Sequence, residues 1–110
     1  MITFNQFMAV ELRIGTITSV DDFPGAHKPS YKLTIDFGPE VGVKRSSARI
    51  TDHYTKDELV GRQVLCVTNF PPKQIGPFIS DVLVTGFDLS DGTISLAGAD
   101  RSVPNGTRLT

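Results

Sequence analysis

The sequence predicts an all-β protein built on a small five-stranded barrel, and three observations lead there. Tyr31, Leu33, Ile35 and Phe37 recur at every second position with Lys32, Thr34 and Asp36 between them, as in a strand with one buried and one wet face. A longer alternation over residues 10–20 precedes it, interrupted by Gly15. Between the strands only residues 55–61 carry a helical signature.

Taken in order, Thr3 and Gln6 have capping-box spacing, with Ile2 and Phe7 placed as a hydrophobic staple, so a helix of one or two turns opens the chain. Phe4, Phe7 and Met8 are each worth about 1.5–3 kcal/mol when fully buried. The turn is therefore expected to pack on the barrel or on another subunit.

In the first strand Val10, Leu12, Ile14, Thr16, Thr18 and Val20 form one face, and Gly15 is expected to mark its bend. Residues 21–30, with Pro24-Gly25 and Pro29, read as a loop. The second strand ends in a turn at Gly38-Pro39. A third strand over residues 41–50 carries Lys44, Arg45, Ser46, Ser47 and Arg49, small polar and basic side chains that suit a surface rather than a core.

Thr55 and Glu58 form a second capping box, Leu59 and Val60 an apolar edge, and Gly61 a stop, which predicts one short helix between strands three and four. Residues 64–69 are apolar on both faces, as a central strand is. Residues 70–78, with Pro71-Pro72, Gly76 and Pro77, are expected to be irregular, and residues 81–87 to form the fifth strand. Three strands, a short helix and two more strands, the first long enough to pair twice, is the order of an OB-fold, a five-stranded Greek-key barrel. Segments 93–97 and 106–109 follow the turn dipeptides Asp91-Gly92 and Asn105-Gly106 and exceed what the barrel needs. As a C-terminal strand extension they would leave an unpaired edge, which favours pairing with a second copy.

At 110 residues the chain is expected to be one domain, residues 1–110, burying roughly two-thirds of its unfolded surface. Its net charge of -1, from 11 basic and 12 acidic residues, gives no bulk argument for nucleic acid or anionic membrane. The distribution is uneven. Lys28, Lys32, Lys44, Arg45 and Arg49 face only Asp36 and Glu40 in their stretch, whereas residues 81–100 hold four Asp and no base. The one cysteine, Cys66, lies in an apolar run and reads as a buried small hydrophobe. With no basic-then-apolar leader and no apolar run near the ~20 residues of a span, a cytoplasmic protein without membrane insertion is expected.

His27 and His53 stand apart in sequence, and no metal spacing, phosphate-binding glycine pattern or Gly-x-Ser-x-Gly elbow occurs. The expectation is a protein that is not an enzyme and uses no metal or cofactor. Binding signals are better. Strands two and three of an OB barrel present an open face, here carrying Lys28, Lys32, Lys44, Arg45, Ser46 and Arg49, with Lys73 on a loop in reach. Such groups suit phosphate and sugar. They equally suit solubility, and few aromatics are left for base stacking.

Several stretches resemble the tRNA-binding OB domain family, found as an appended domain of methionyl- and some phenylalanyl-tRNA synthetases and as free-standing dimeric proteins. They are Leu12-Arg13-Ile14-Gly15-Thr16-Ile17, the run from Phe23 to Leu33, Ile35-Asp36-Phe37-Gly38, Arg45-Ser46-Ser47-Ala48, Leu59-Val60-Gly61-Arg62-Gln63-Val64, and Asn69-Phe70-Pro71-Pro72-Lys73-Gln74-Ile75 with Ser80. The wording Lys28-Pro29-Ser30-Tyr31-Lys32-Leu33 and Ser46-Ser47-Ala48 is similar to the branch of CsaA export-related chaperones. The resemblance implies a homodimer joined through N- and C-terminal segments, with tRNA and unfolded preproteins or export machinery as partners. It places RNA contacts at Ser46, Ser47, Asn69, Lys73 and Ser80, beside Lys32, Lys44 and Arg45 from the basic face. Phe4, Phe7, Met8 and Phe78 are then expected at an apolar cleft or dimer interface. Where RNA-binding relatives read Ser-x-Gly-Met this chain has Ser80-Asp81-Val82-Leu83, adding a negative charge beside Ser80. The alternatives are a general tRNA-binding module without a chaperone role, or an interaction subunit of a synthetase complex.

Overall fold

The computed structural model describes residues 1–110. Helix α1 (Phe4–Met8) carries the expected capping box: the Gln6 N–H donates to Thr3 Oγ1 at 3.2 Å and Gln6 Oε1 accepts from the Thr3 N–H at 2.8 Å. None of its residues is buried, and Phe4 is 68% exposed. The helix is held at its end instead. The C=O of Ala9 accepts from Asn69 Nδ2 at 2.8 Å, the Glu11 N–H donates to Asn69 Oδ1 at 2.9 Å, and Arg108 Nη2 donates to the C=O of Met8.

Strands β1 (Leu12–Asp22) and β2 (Tyr31–Asp36) follow, the latter burying Tyr31, Leu33 and Ile35 as its alternation requires. Gly15 is not the bend of β1. The register shift lies between Ile17 and Ser19, whereas a Cβ at Gly15 would sit 2.5 Å from Ile35 Cγ2 and 2.8 Å from the Phe37 ring. Glycine is needed there for close packing of β1 over the core.

At Gly38-Pro39 a one-turn helix α2 (Gly38–Val41) replaces the expected turn, with proline in the first turn where its missing N–H costs nothing. It delays strand β3 to Val43–Ala48. Helix α3 (Lys56–Leu59) has the Thr55/Glu58 capping box, and its Leu59 is fully buried under the barrel. Val60 turns outward, so the apolar edge is a single residue. Strand β4 (Gln63–Val67) is central, with Val64, Cys66 and Val67 buried.

Residues 70–78 are more regular than their prolines suggest. A hairpin of β5 (Lys73–Ile75) and β6 (Phe78–Ser80) turns at Gly76-Pro77, with Gly76 at φ +59°. Pro71-Pro72 precede the ladder and Pro77 sits at its corner, so no ladder donor is lost. The expected fifth strand breaks in two. β7 (Leu83–Val84) pairs with β4, and β8 (Gly86–Asp88) pairs with β9 (Ile94–Leu96) across the Asp91-Gly92 turn. The break is at Thr85, whose N–H donates to the C=O of Leu65 at 3.0 Å while its C=O accepts from the Ala97 N–H at 3.2 Å.

The main sheet runs β3-β2-β1-β4-β7, all antiparallel, and curls into a nearly closed OB-type barrel. β1 does pair twice, with β4 over residues 12–16 and with β2 over residues 16–22. The C-terminal tail does not stay outside with an open edge. Backbone bonds Gly106 N–H to Ile14 C=O (2.7 Å), Ile14 N–H to Thr107 C=O (2.9 Å) and Leu109 N–H to Leu12 C=O (2.9 Å) zip it onto β1. Gln63 clamps the approach, bonding both the C=O and the N–H of Val103. No helix is long and apolar enough to cross a membrane.

Candidate functional site

The barrel closes imperfectly, and that seam makes the site. β3 and β7 are the two ends of the sheet order, and no ladder joins them. The Asp81 N–H donates to the C=O of Arg45 at 2.7 Å, the Arg45 N–H donates to Asp81 Oδ2 at 3.1 Å, and the Ser47 N–H donates to Ser80 Oγ at 3.2 Å. Ser80 passes its own proton to the C=O of Val82 at 3.3 Å. Side chains thus stand in for a neighbouring strand as far as Ser47.

Beyond it the walls part, and a groove of about 1000 Å³ opens between residues 47–50 and 80–86, flanked by the 23–30 loop and both hairpins. Val82, Ile50, Ile94 and Leu96 give it apolar walls, while Lys28, Arg49 and Lys73 give it basic ones. Phe70, 55% exposed, stands in its lining.

Next to the groove lies the outer face of β2 and β3. The register Lys32↔Ser47 and Thr34↔Arg45 puts these four side chains on that face. Lys32 Nζ lies 5.2 Å from the Phe23 ring centroid and 5.9 Å from that of Phe78, and the Arg45 guanidinium lies 4.6 Å from Phe78. The two rings meet edge to face at 5.3 Å and are buried. Neither cation is paired with a carboxylate. Contacts of this kind are worth about 0.5–1 kcal/mol each at exposed positions, enough to orient the charges while leaving them open to an anion.

Of the residues expected at the site, the structure gathers Ser47, Lys73 and Ser80 around the groove and sets Lys32 and Arg45 on the adjoining face. Others go elsewhere. Ser46 pairs with Leu33 on the inward face, is 1% exposed, and donates its hydroxyl proton to the C=O of Ser47 at 2.9 Å. Lys44 pairs with buried Ile35 and so leaves β3 on the side opposite Arg45. Asn69 spends both ends of its amide on the N-terminal segment. Phe78, expected at an apolar cleft, is 3% exposed beneath Arg45 and Lys32. Phe4 is exposed and Phe7 and Met8 half-buried on α1, the two rings 6.4 Å apart. Sequence reasoning missed Phe23 and Phe70, which flank proline turns where periodicity carries no signal.

Other reactive groups are occupied. Cys66 is buried, and burial pushes its thiol up to about 12, which leaves it protonated and inert. His53, isolated in sequence, meets Thr93 Oγ1 through Nε2 at 2.6 Å, and Thr93 donates to Asp91 Oδ1 at 2.6 Å. The Thr93 hydroxyl bond holds the Asp91 carboxyl below the usual range. Since Thr93 gives its proton to Asp91, His53 has none to take from it, and the chain of bonds ties the loop after β3 to the β8–β9 turn. No cluster of three or more His, Cys, Asp or Glu is placed to hold a metal.

A small barrel with a mixed apolar and basic groove at its seam is a ligand-binding module. The chain belongs to the tRNA-binding domain family: the profile described as "Putative tRNA binding domain" matches residues 12–108. Within it the chain is of CsaA type. It is 43% identical to the chaperone CsaA of Bacillus anthracis, covering 100% of this chain and 99% of that one with a TM-score of 0.93. For the CsaA chaperone protein of Picrophilus torridus the values are 48%, 100% of both chains, and 0.92. Methionine–tRNA ligase of Bacillus subtilis is 34% identical over 108 residues, which are 98% of this chain and 16% of the ligase. The chain thus spans 16% of the length of that enzyme.

Proposed function

We propose that this single-domain protein is a cytoplasmic, non-enzymatic homodimer that holds unfolded preproteins as CsaA-like chaperones do, and that it also binds tRNA. The observation that carries the reading is the groove of about 1000 Å³ with apolar walls and a basic rim, since an unfolded chain offers apolar side chains and a polar backbone together. Lys32 and Arg45, unpaired on the neighbouring face, supply the phosphate contacts for tRNA.

Dimerisation uses α1 and the C-terminal tail. Met1, Ile2, Phe4, Val10 and Leu109 are all exposed, and Arg108 ties the two segments together through the C=O of Met8. The Nε of Arg108 is buried with no acceptor in its own chain, and a second subunit can supply one.

The test pairs two titrations. Suppression of aggregation of a reduced, unfolded client is measured beside anisotropy of labelled tRNA at salt between about 50 and 200 mM. Client protection that is insensitive to salt, with tRNA affinity that falls steeply, supports both activities. Failure to protect any unfolded client, with tRNA binding intact, leaves the second reading: a tRNA-binding module whose only ligand face is that of Lys32 and Arg45.

A further inference from the structure

A second cavity, of about 650 Å³, lies between residues 61–63 and residues 96–102 and shares only Leu96 with the seam groove. Its loop is pinned at both ends. The C=O of Ala97 accepts from the Leu65 N–H at 3.0 Å, the Ala97 N–H donates to the C=O of Thr85 at 3.2 Å, and Gln63 holds both the N–H and the C=O of Val103. Between these pins the chain bends at Asp100 and Arg101, and no N–H from Gly98 to Ser102 has an acceptor within the chain. A Cβ at Gly98 would meet the C=O of Gln63 at 3.2 Å, so the loop is seated against β4.

Two guanidinium groups line the same cavity against one carboxylate, that of Asp100. Arg62 has no carboxylate partner, and its guanidinium lies 5.2 Å from the Tyr54 ring centroid. Tyr54 is itself fixed: its hydroxyl accepts from the Leu96 N–H at 2.9 Å and its C=O accepts from the Tyr31 hydroxyl at 2.8 Å. Arg101 meets only Asp100, at 3.9 Å and with both side chains almost wholly in solvent, a pairing worth close to nothing. An anion entering the cavity therefore breaks no strong ion pair. Successive open N–H groups and arginine forks are the donors that phosphate oxygens take. The volume falls in the range of small-molecule sites, about 300–1,000 Å³, and leaves room for more than a bare ion.

We propose that this cavity is a phosphate site, the group being held by Arg62, Arg101 and the N–H groups of residues 98–102. None of its residues belongs to the face of Lys32 and Arg45, so it is a second anion site, independent of the functional reading above.

The test follows backbone amide spectra of the intact protein through titrations with inorganic phosphate, adenosine monophosphate and tRNA, beside adenosine and sulfate at matched ionic strength. Phosphate-bearing probes are expected to shift the amides of residues 98–102 and the Arg62 Nε–H saturably, with adenosine inert and sulfate about tenfold weaker. Arg62→Gln, an exposed change, should lower that affinity about tenfold while the urea midpoint stays near that of the parent. The source follows from the order of affinity: phosphate equal to the monophosphate marks a free-phosphate site, a tighter monophosphate marks a nucleotide site, and tRNA shifting the same amides marks an RNA phosphate. Absence of saturable shifts at residues 98–102 with all three probes overturns the proposal. So does sulfate binding as tightly as phosphate, which leaves an adventitious ion only, or an Arg62→Gln variant that binds as the parent does.

Discussion

Asp81 and Arg45 exchange two hydrogen bonds across the barrel seam: the Asp81 N–H donates to the C=O of Arg45 at 2.7 Å, and the Asp81 carboxylate accepts from the Arg45 N–H at 3.1 Å. A carboxylate thereby does the work of a missing strand, and it carries its charge into a groove whose other ionised side chains are basic.

Structure and charge at this position can be separated. Asp81→Ala is expected to cost about 1–2 kcal/mol by urea unfolding, since the Arg45 N–H loses its acceptor. Asp81→Asn keeps an acceptor and should stay within about 0.5 kcal/mol of the parent while binding tRNA more tightly. An Asn variant with unchanged or weaker tRNA affinity would show that the charge plays no part.

Arg45→Glu and Lys32→Glu are expected to weaken tRNA binding and to lower the steepness of its salt dependence by about one contact each. Ser46→Ala should leave that titration unchanged, because its hydroxyl is buried and bonded to Ser47. A defect in the Ser46 variant equal to that of Arg45 would move the interface to the other face of β3.

Gly15→Ala should destabilise the fold by about 1–3 kcal/mol, as a methyl group forced against Ile35 and Phe37 overpacks a core with no slack. Denaturant midpoints decide it, and a neutral result would mean that β1 can lift away without loss.

Asn69→Ala removes both bonds that hold the end of α1. If the chain dimerises through α1 as proposed, sedimentation should show this variant's dimer weakened with barrel stability lowered by only about 1 kcal/mol, and Phe4→Ser should weaken it with little change in stability. If both variants sediment as the parent does, α1 lies outside the interface.

Cys66 makes stability depend on alkaline pH. Its thiol stays protonated in the fold up to about 12, whereas in the unfolded chain it ionises near its ordinary 9.0. Between these values the unfolded state binds fewer protons, so stability is full below about 9 and falls as pH rises, by about 1.4 kcal/mol per unit. Thiol titration should find Cys66 unreactive until the protein unfolds, and Cys66→Ala should lose this alkaline slope. Equal slopes in parent and variant would assign it to other groups.

Much of this architecture follows from local sequence. The alternation of Tyr31, Leu33, Ile35 and Phe37 and the capping boxes of Thr3 and Thr55 need only neighbours within a few residues, so the strand and helix signals are written in the chain itself. The barrel order and the family wording around Phe23 to Leu33 are equally local. What the tertiary structure decided depends on partners far away in sequence. Whether Gly15 bends a strand or admits Ile35, whether Phe78 lines a cleft or lies under Arg45, and whether Asn69 meets a ligand or Ala9 are set by what packs across the sheet. Ser46 and Ser47 are identical as residues, and only the register against Leu33 and Lys32 buries one and leaves the other half-buried on the outer face. A one-residue change of register exchanges the two faces of a strand, and pairing energies across strands, which no single segment contains, select the register. The seam is the clearest case. β3 and β7 end the sheet without pairing, and β7 stops at Val84, where Thr85 keeps its N–H on Leu65 but gives its C=O to Ala97, a partner twelve residues on that no local pattern names.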